Sequence, residues 1–279
     1  MKKLAIDKMK IISAALLFLI TGTVSAQTAE RVFNFKKGDE YYRQTAIQSS
    51  CVIQMGKSQV HINSTSNVAK TYNVSDSNDY GYIFTITTKK VTSTLDVDDK
   101  HMEFDSSAPA DNSSSLAKGL NYMVDKPVSV SIDKHGLIVA ADANAVRLGN
   151  DTLLAFTGIA NEQYVAGNRF GLISDFLLQG KLDKNFTWGD TTVNGDTKIM
   201  SKFWVQGQTA HFTTIGFSSS IRGIGVNTNT NGVYVLNNVN GIIAERMLQS
   251  VSLGYIVYKK ALYGSTRRWV ISERCTQTK

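Results

Sequence analysis

The sequence predicts a β-dominated α+β protein: one or two twisted antiparallel sheets, readable as two degenerate β halves, with a central helical segment. Three observations carry that prediction. Runs rich in Val, Ile, Tyr, Phe and Thr alternate with polar residues at a period of two, as half-buried strands do. Clusters of Asp, Asn, Ser and Gly punctuate those runs with turn chemistry. In the middle of the chain the spacing of apolar residues changes to that of a helix.

Taken in order, residues 1–26 read as a signal peptide. A basic start precedes an apolar run from Ile11 to Ile20, and Val24 and Ala26 stand at the −3 and −1 positions of a cleavage site before Gln27. A second start at Met9 would open an equally good signal. The run is shorter than the ~20 apolar residues a membrane span needs. Its only macromolecular partner by this reading is the signal peptidase. Removing it lowers the formal net charge from +7 to about +4. The remaining basic pairs (Lys36-Lys37, Lys89-Lys90, Lys259-Lys260, Arg267-Arg268) fall in separate strand-like segments. They form no basic stripe interleaved with aromatics, which excludes a nucleic-acid partner.

Residues 27–141 form the first β-rich half. Tyr41 to Met55 is a long alternating run with Tyr41, Arg43, Thr45 and Ile47 on one face, broken by Gly56-Lys57-Ser58. Gln59–Asn63, Ala69–Val74, Tyr80–Thr88 and Val91–Val97 are predicted as four further strands. Asp111-Asn112-Ser113 is placed to cap a helix running to Met123, with Leu116, Leu120 and Met123 on one side. Pro127–Ile132 and Leu137–Ala141 read as a hairpin around Asp133-Lys134-His135-Gly136. Residues 142–180 are expected to be a helical connector interrupted near Gly158, with Phe170, Ile173, Phe176 and Leu177 on one apolar face. Residues 181–279 return to β texture.

The halves share signatures. Phe35-Lys36-Lys37-Gly38-Asp39 and Phe186-Thr187-Trp188-Gly189-Asp190 both read F-x-x-G-D, and Asp133–Val139 is echoed by Asn238–Ala244. A glycine in each supplies the positive φ of a tight turn. The signal peptide, F-x-x-G-D, the segment Met102-Glu103-Phe104-Asp105-Ser106-Ser107 and the hairpin Val130–Gly136 resemble an uncharacterised family of exported, β-rich Bacteroidota proteins. That resemblance implies a periplasmic or surface location and no established activity or site. Asp151-Thr152-Leu153 and Asp190-Thr191-Thr192 are similar to the O-glycosylation triplets of such bacteria.

Cys51 and Cys275 are the only cysteines, and in an oxidising compartment an even number invites a disulfide or leaves two free thiols. Catalytic patterns are incomplete. Ser115-Leu116-Ala117-Lys118 and Ser131-Ile132-Asp133-Lys134 match S-x-x-K without the other elements such an enzyme needs. His61, His101, His135 and His211 lack metal-ligand spacing, and Asp96, Asp98 and Asp99 lack the glycine and distal Glu of a calcium loop. Gly223-Ile224-Gly225 reads as a turn. No cofactor is called for. Asp105, Asp125, Glu162, Asp175 and Glu245 could serve a hydrolase only by converging in space.

A sheet with one apolar face must cover it. Phe156, Tyr164, Phe170, Ile173, Phe176 and Leu177 in the middle segment are the expected cover, or the lining of an apolar cavity. The functional expectation is an exported, non-enzymatic envelope protein holding a lipid, another apolar ligand or an envelope protein partner. An envelope hydrolase and an outer-membrane β-barrel are the alternatives.

Overall fold

Alternation at a period of two puts every second side chain of a strand on the same face, and the burial of residues 40–97 follows it closely. The computed structural model describes residues 32–109, 115–142, 152–159, 164–174, 186–258 and 261–279. Strands β1 (Glu40–Met55), β2 (Ser58–Ser77) and β3 (Gly81–Val97) are 16, 20 and 17 residues long. Each buries alternate residues: Tyr41, Ile47, Cys51 and Ile53 on β1; Ile62, Val68, Tyr72 and Val74 on β2; Phe84, Ile86, Val91 and Leu95 on β3. This buried side is the inner face of the sheet. The four short strands expected after Met55 are therefore two long ones. Bulges at Ala69/Lys70 and Val74/Asp76 restore the register that the polar interruptions had disguised.

Strand β4 (Lys100–Asp105) folds back on β3. Helix α1 (Ser115–Asn121) follows, two residues shorter than expected at its end, with Leu116 and Leu120 buried on one side and Met123 buried in the turn after it. The predicted hairpin is β5 (Pro127–Asp133) and β6 (Ile138–Ala141). Its turn is closed by the Asp133 carboxylate, which accepts bonds from the His135 and Leu137 amides (2.9 and 2.8 Å), with Gly136 at φ +79°. A side chain at Gly136 would meet Ile173, so the turn needs glycine for space as well as for conformation.

The second half is a meander: β7 (Thr187–Asn194), β8 (Thr197–Gln208), β9 (Phe212–Gly223), β10 (Val226–Asn237), β11 (Ile243–Tyr258) and β12 (Ala261–Gln277). The twelve strands of the described residues form one antiparallel sheet, in the order β6-β5-β3-β2-β1-β12-β11-β10-β9-β8-β7, with β4 beside β3. The two halves are thus joined at the middle by the first and last strands, paired from Tyr41↔Gln277 to Gln54↔Gly264.

The central helical segment is the main correction. Its described part holds one short helix, α2 (Thr152–Phe156), and residues 164–174 form no helix. They run as a strap of successive turns, bridged to Leu137 through Arg169 and to Ile242 through Ile173. The i, i+3 spacing of Phe170 and Ile173 therefore reflects two plugs on a strap rather than a helical face. Gly158, at φ +72° and against Ile47, turns the chain after α2. Residues 1–26, Glu162, Asp175, Phe176 and Leu177 lie outside the described residues. The two F-x-x-G-D segments also differ: Gly38 makes a turn at φ +93°, whereas Gly189 lies inside β7.

Candidate binding surface of the sheet

The inner face of β1–β5 is closed by the chain itself. Phe156 (1 % exposed) and Ile159 pack with Ile47, Cys51, Leu95 and helix α1. Phe170 (0 %) and Ile173 (2 %) pack with Tyr72, Phe84 and Val130, and Tyr164 lies half-buried against the same cluster. Polar residues on this face have a matching purpose. Ser64 and Ser66 hydroxyls donate to the Phe156 and Thr157 carbonyls (2.8 and 3.1 Å), and Arg267 donates to Ala155 (2.7 Å). These bonds satisfy carbonyls that the end of α2 leaves open. Arg43 donates to the Gly171 carbonyl at 2.9 Å and lies over the Tyr72 ring. The four described residues expected to cover the sheet all pack on its inner face but in two clusters, Phe156 in one and Tyr164, Phe170 and Ile173 in the other.

Beyond β12 the inner face is different. Register places Val205, Ile215, Tyr234, Arg246, Glu273 and Thr45 in one row across six strands. The Arg246 guanidinium meets the Glu273 carboxylate at 2.6 Å, and the Thr45 hydroxyl donates to the same carboxylate at 3.2 Å. Burial alone would lower the Arg246 pKa, but the facing Glu273 charge outweighs it and holds the group ionised. The next row carries Phe203, Phe217 and Leu248, part of a ring chain from Phe186 through Trp188, Phe203 and Phe217 to Tyr234. Two further rows are hydroxyl-lined: Ser201 bonds Ser219 (3.2 Å), Thr230 bonds Ser250 (3.0 Å), and Thr228 bonds Ser252 (2.8 Å). Trp188, Phe217, Trp269, Ile199 and Ile221 on this face are only half-buried. An apolar zone thus passes into a hydroxyl zone, both partly open.

The outer face is mainly polar. Gln44, Gln48, Asn63, Thr65, Asn67, Thr92 and Thr94 occupy it on β1–β3, with Asn227, Asn229 and Asn231 on β10 and Lys198 and Lys202 on β8. Exposed apolar side chains also stand on it: Met247, Val251, Leu253 and Tyr255 along β11, with Val193 on β7, Phe212 on β9 and Leu262 on β12.

The cysteines do not meet. Both are buried and free, and both lie on the inner face of neighbouring strands. Register pairs Arg43 with Cys275 and Cys51 with Arg267, so they stand eight residues apart along the ladder. At ~3.4 Å per residue that is about 27 Å, far beyond the ~7 Å Cα separation a disulfide spans. Burial pushes the Cys275 thiol up to about 11 and raises that of Cys51.

Among the described residues, no group of three or more His, Cys, Asp or Glu side chains is placed to hold a metal ion. Asp98 occupies the β3–β4 turn at φ +50° and binds the His61 amide. His101 lies between Asp96 (2.5 Å) and Glu103 (2.8 Å), which raise its pKa. The carboxylates proposed for a hydrolase are dispersed: Asp105 ends β4, Asp125 faces Lys89, and Glu245 pairs with Arg274 on the outer face. Ser131 lies in β5 and Lys134 in the turn after it, so they share no helix face. The Gly223-Ile224-Gly225 turn joins β9 and β10 as expected. The hydroxyl rows and the Arg246–Glu273 pair escaped sequence reasoning, because Ser and Thr on a strand look solvent-facing until the register is known.

The fold and this surface define a class: a β-rich protein whose described strands form a single antiparallel sheet. No protein-family model and no curated protein matches the chain. Among solved structures, an outer-membrane channel from Pseudomonas putida F1 is 6 % identical at a TM-score of 0.22, covering 88 % of this chain and 98 % of that one. The translocator domain of the autotransporter NalP from Neisseria meningitidis is 8 % identical at 0.22, covering 96 % and 97 %. Pseudomonas aeruginosa OpdQ is 8 % identical at 0.21, covering 88 % and 100 %. TM-scores of this size fall short of a shared fold.

Proposed function

We propose that this is an exported, non-enzymatic envelope protein, akin to the uncharacterised Bacteroidota family, that binds an amphiphile across the inner face of β8–β12. The observation that carries the reading is the contrast along one sheet. The inner face of β1–β5 is filled by the chain's own straps, whereas that of β8–β11 runs from half-buried aromatics into half-buried hydroxyls. Apolar lining with a few placed polar groups is the composition of small-ligand sites. A fatty acid or lipid would set its chain against the half-buried Trp188, Phe217 and Trp269 and its head against the Ser/Thr rows.

The test is displacement of anilinonaphthalene sulfonate by oleate, together with native mass spectrometry of the purified protein. Saturable dye binding, competed by oleate, is expected. A protein that neither binds the dye nor carries a co-purified lipid would refute the reading.

One observation favours the outer-membrane alternative: the first and last strands of a long antiparallel meander pair with each other, and β11 presents apolar side chains outward. A membrane barrel needs an outward apolar band about 25 Å tall around its whole wall. Here that wall carries Gln, Asn and Thr on β1–β3 and Lys198, Lys202 and Arg268 elsewhere. Extraction from membranes without detergent and gel migration unaffected by heating are expected; a detergent requirement with heat-modifiable migration would favour the barrel.

A further inference from the structure

We propose that a trough on the outer face, floored by Gly264 and Thr266 of β12, is a binding site for a neutral saccharide chain. Register builds the trough. Gly264 stands between Tyr255 of β11 and Gln54 of β1, and Thr266 between Leu253 and Val52. A side chain added at Gly264 would meet nothing within 4 Å, so the floor is open where both walls are tall. The resulting cavity is about 440 Å³, within the size range of small-ligand sites, about 300–1,000 Å³.

The walls have the chemistry of sugar recognition. Tyr255 is 65 % exposed, yet its ring rests against the β9–β10 turn, where a Cβ on Gly225 would come within 3.2 Å of it. Tyr255 thus offers a supported flat face to the C–H side of a pyranose, with its hydroxyl at the wet edge. Opposite it, the amides of Gln54 and Gln59 are held in place. Gln54 donates to the Gly56 carbonyl (2.6 Å) and Gln59 donates to the Gln54 oxygen (2.9 Å). Amides fixed in this way present donors and acceptors to ligand hydroxyls with little ordering cost on binding. Asn227, paired with Leu253 from β10, adds a third amide to the lining on the side of Tyr255. Among the described residues no charged side chain lines the cavity. An anion or cation would therefore be desolvated there without a partner, whereas a neutral polyol would not. The site lies on the face opposite the amphiphile surface and does not depend on it.

Calorimetric titration with three neutral hexasaccharides (maltohexaose, cellohexaose and chitohexaose) tests the proposal. Saturable binding of at least one is expected. Tyr255→Ala should weaken it about tenfold or more, the scale of losing one stacked anchor. Gly264→Val should abolish it by filling the floor while keeping a strand-favouring residue, with the circular dichroism spectrum and oleate competition unchanged. The proposal is overturned if none of the three binds saturably, or if binding survives both substitutions unaltered.

Discussion

At the scale of residues, the inner face explains two groups that the sequence presents without context. Cys51 and Cys275 are legible as an even pair, and parity alone suggests a bridge. What parity lacks is the β1–β12 register, which a sequence without the neighbouring strand in view does not contain. The expected outcome is two free thiols: neither reacts with an aromatic disulfide reagent in the native protein, and both titrate after unfolding without reductant. Because burial raises the Cys275 pKa to about 11, the folded state favours the neutral thiol. Its contribution to stability is present below the unfolded pKa, about 8.5, and is lost as pH rises toward the folded value. Cys275→Ala should flatten that alkaline decline in melting temperature; an unchanged slope would contradict the assignment. His101 has the same sign for a different reason, since Asp96 and Glu103 favour its protonated form. The β3–β4 hairpin should lose amide protection as pH rises through the raised His101 pKa, and His101→Gln should remove that dependence.

At the scale of elements, strands were legible and straps were not. The alternation of β1 survives in its sequence because Tyr41, Ile47, Cys51 and Ile53 share one parity, and α1 survives because Leu116, Leu120 and Met123 keep helical spacing. Residues 164–174 misled because two buried aromatic or aliphatic plugs three apart satisfy a helix template equally well. Their backbone instead bonds to turns: Phe170 N–H donates to Gly136 O at 3.0 Å, and Ile243 N–H donates to Leu172 O at 2.9 Å. That strap touches both members of the echoed pair, Asp133–Val139 and Asn238–Ala244. Each is a glycine turn followed by aliphatics, and the same strap bonds to both. Phe170 contacts the Tyr72 and Phe84 rings at 5.9 and 4.7 Å. Phe170→Ala should cost about 3–5 kcal/mol in chemical denaturation, as large-to-small changes in closed cores do. A loss below about 1 kcal/mol would mean that the strap is peripheral. Glu273→Ala should cost a similar amount, about 3–5 kcal/mol, because it leaves the largely buried Arg246 uncompensated.

At the scale of the whole molecule, the question is whether two halves legible in the sequence fold as two units. The sheet argues for one. The halves are joined by the β1–β12 ladder, and inner-face bonds cross the join from Thr45 to Glu273 and from Arg267 to Ala155. Separating them would also expose two long strand edges, β1 and β12, each a template for aggregation. The placement of tryptophan makes this measurable without mutation. All three, Trp188, Trp204 and Trp269, belong to the second half, so tryptophan fluorescence reports β7–β12, with Trp269 beside Ser49 at the join. Far-ultraviolet circular dichroism weighs every strand. If the join is cooperative, the two signals follow one denaturation curve with a common midpoint and slope, the signature of a two-state transition. If the halves were independent, fluorescence would complete its change while part of the dichroism remained. We expect coincidence, and we expect Thr266→Pro, which places a proline at the centre of the sheet, to destabilise both signals together. A variant in which fluorescence moves and the remaining dichroism does not would show that β1–β6 stands on its own straps.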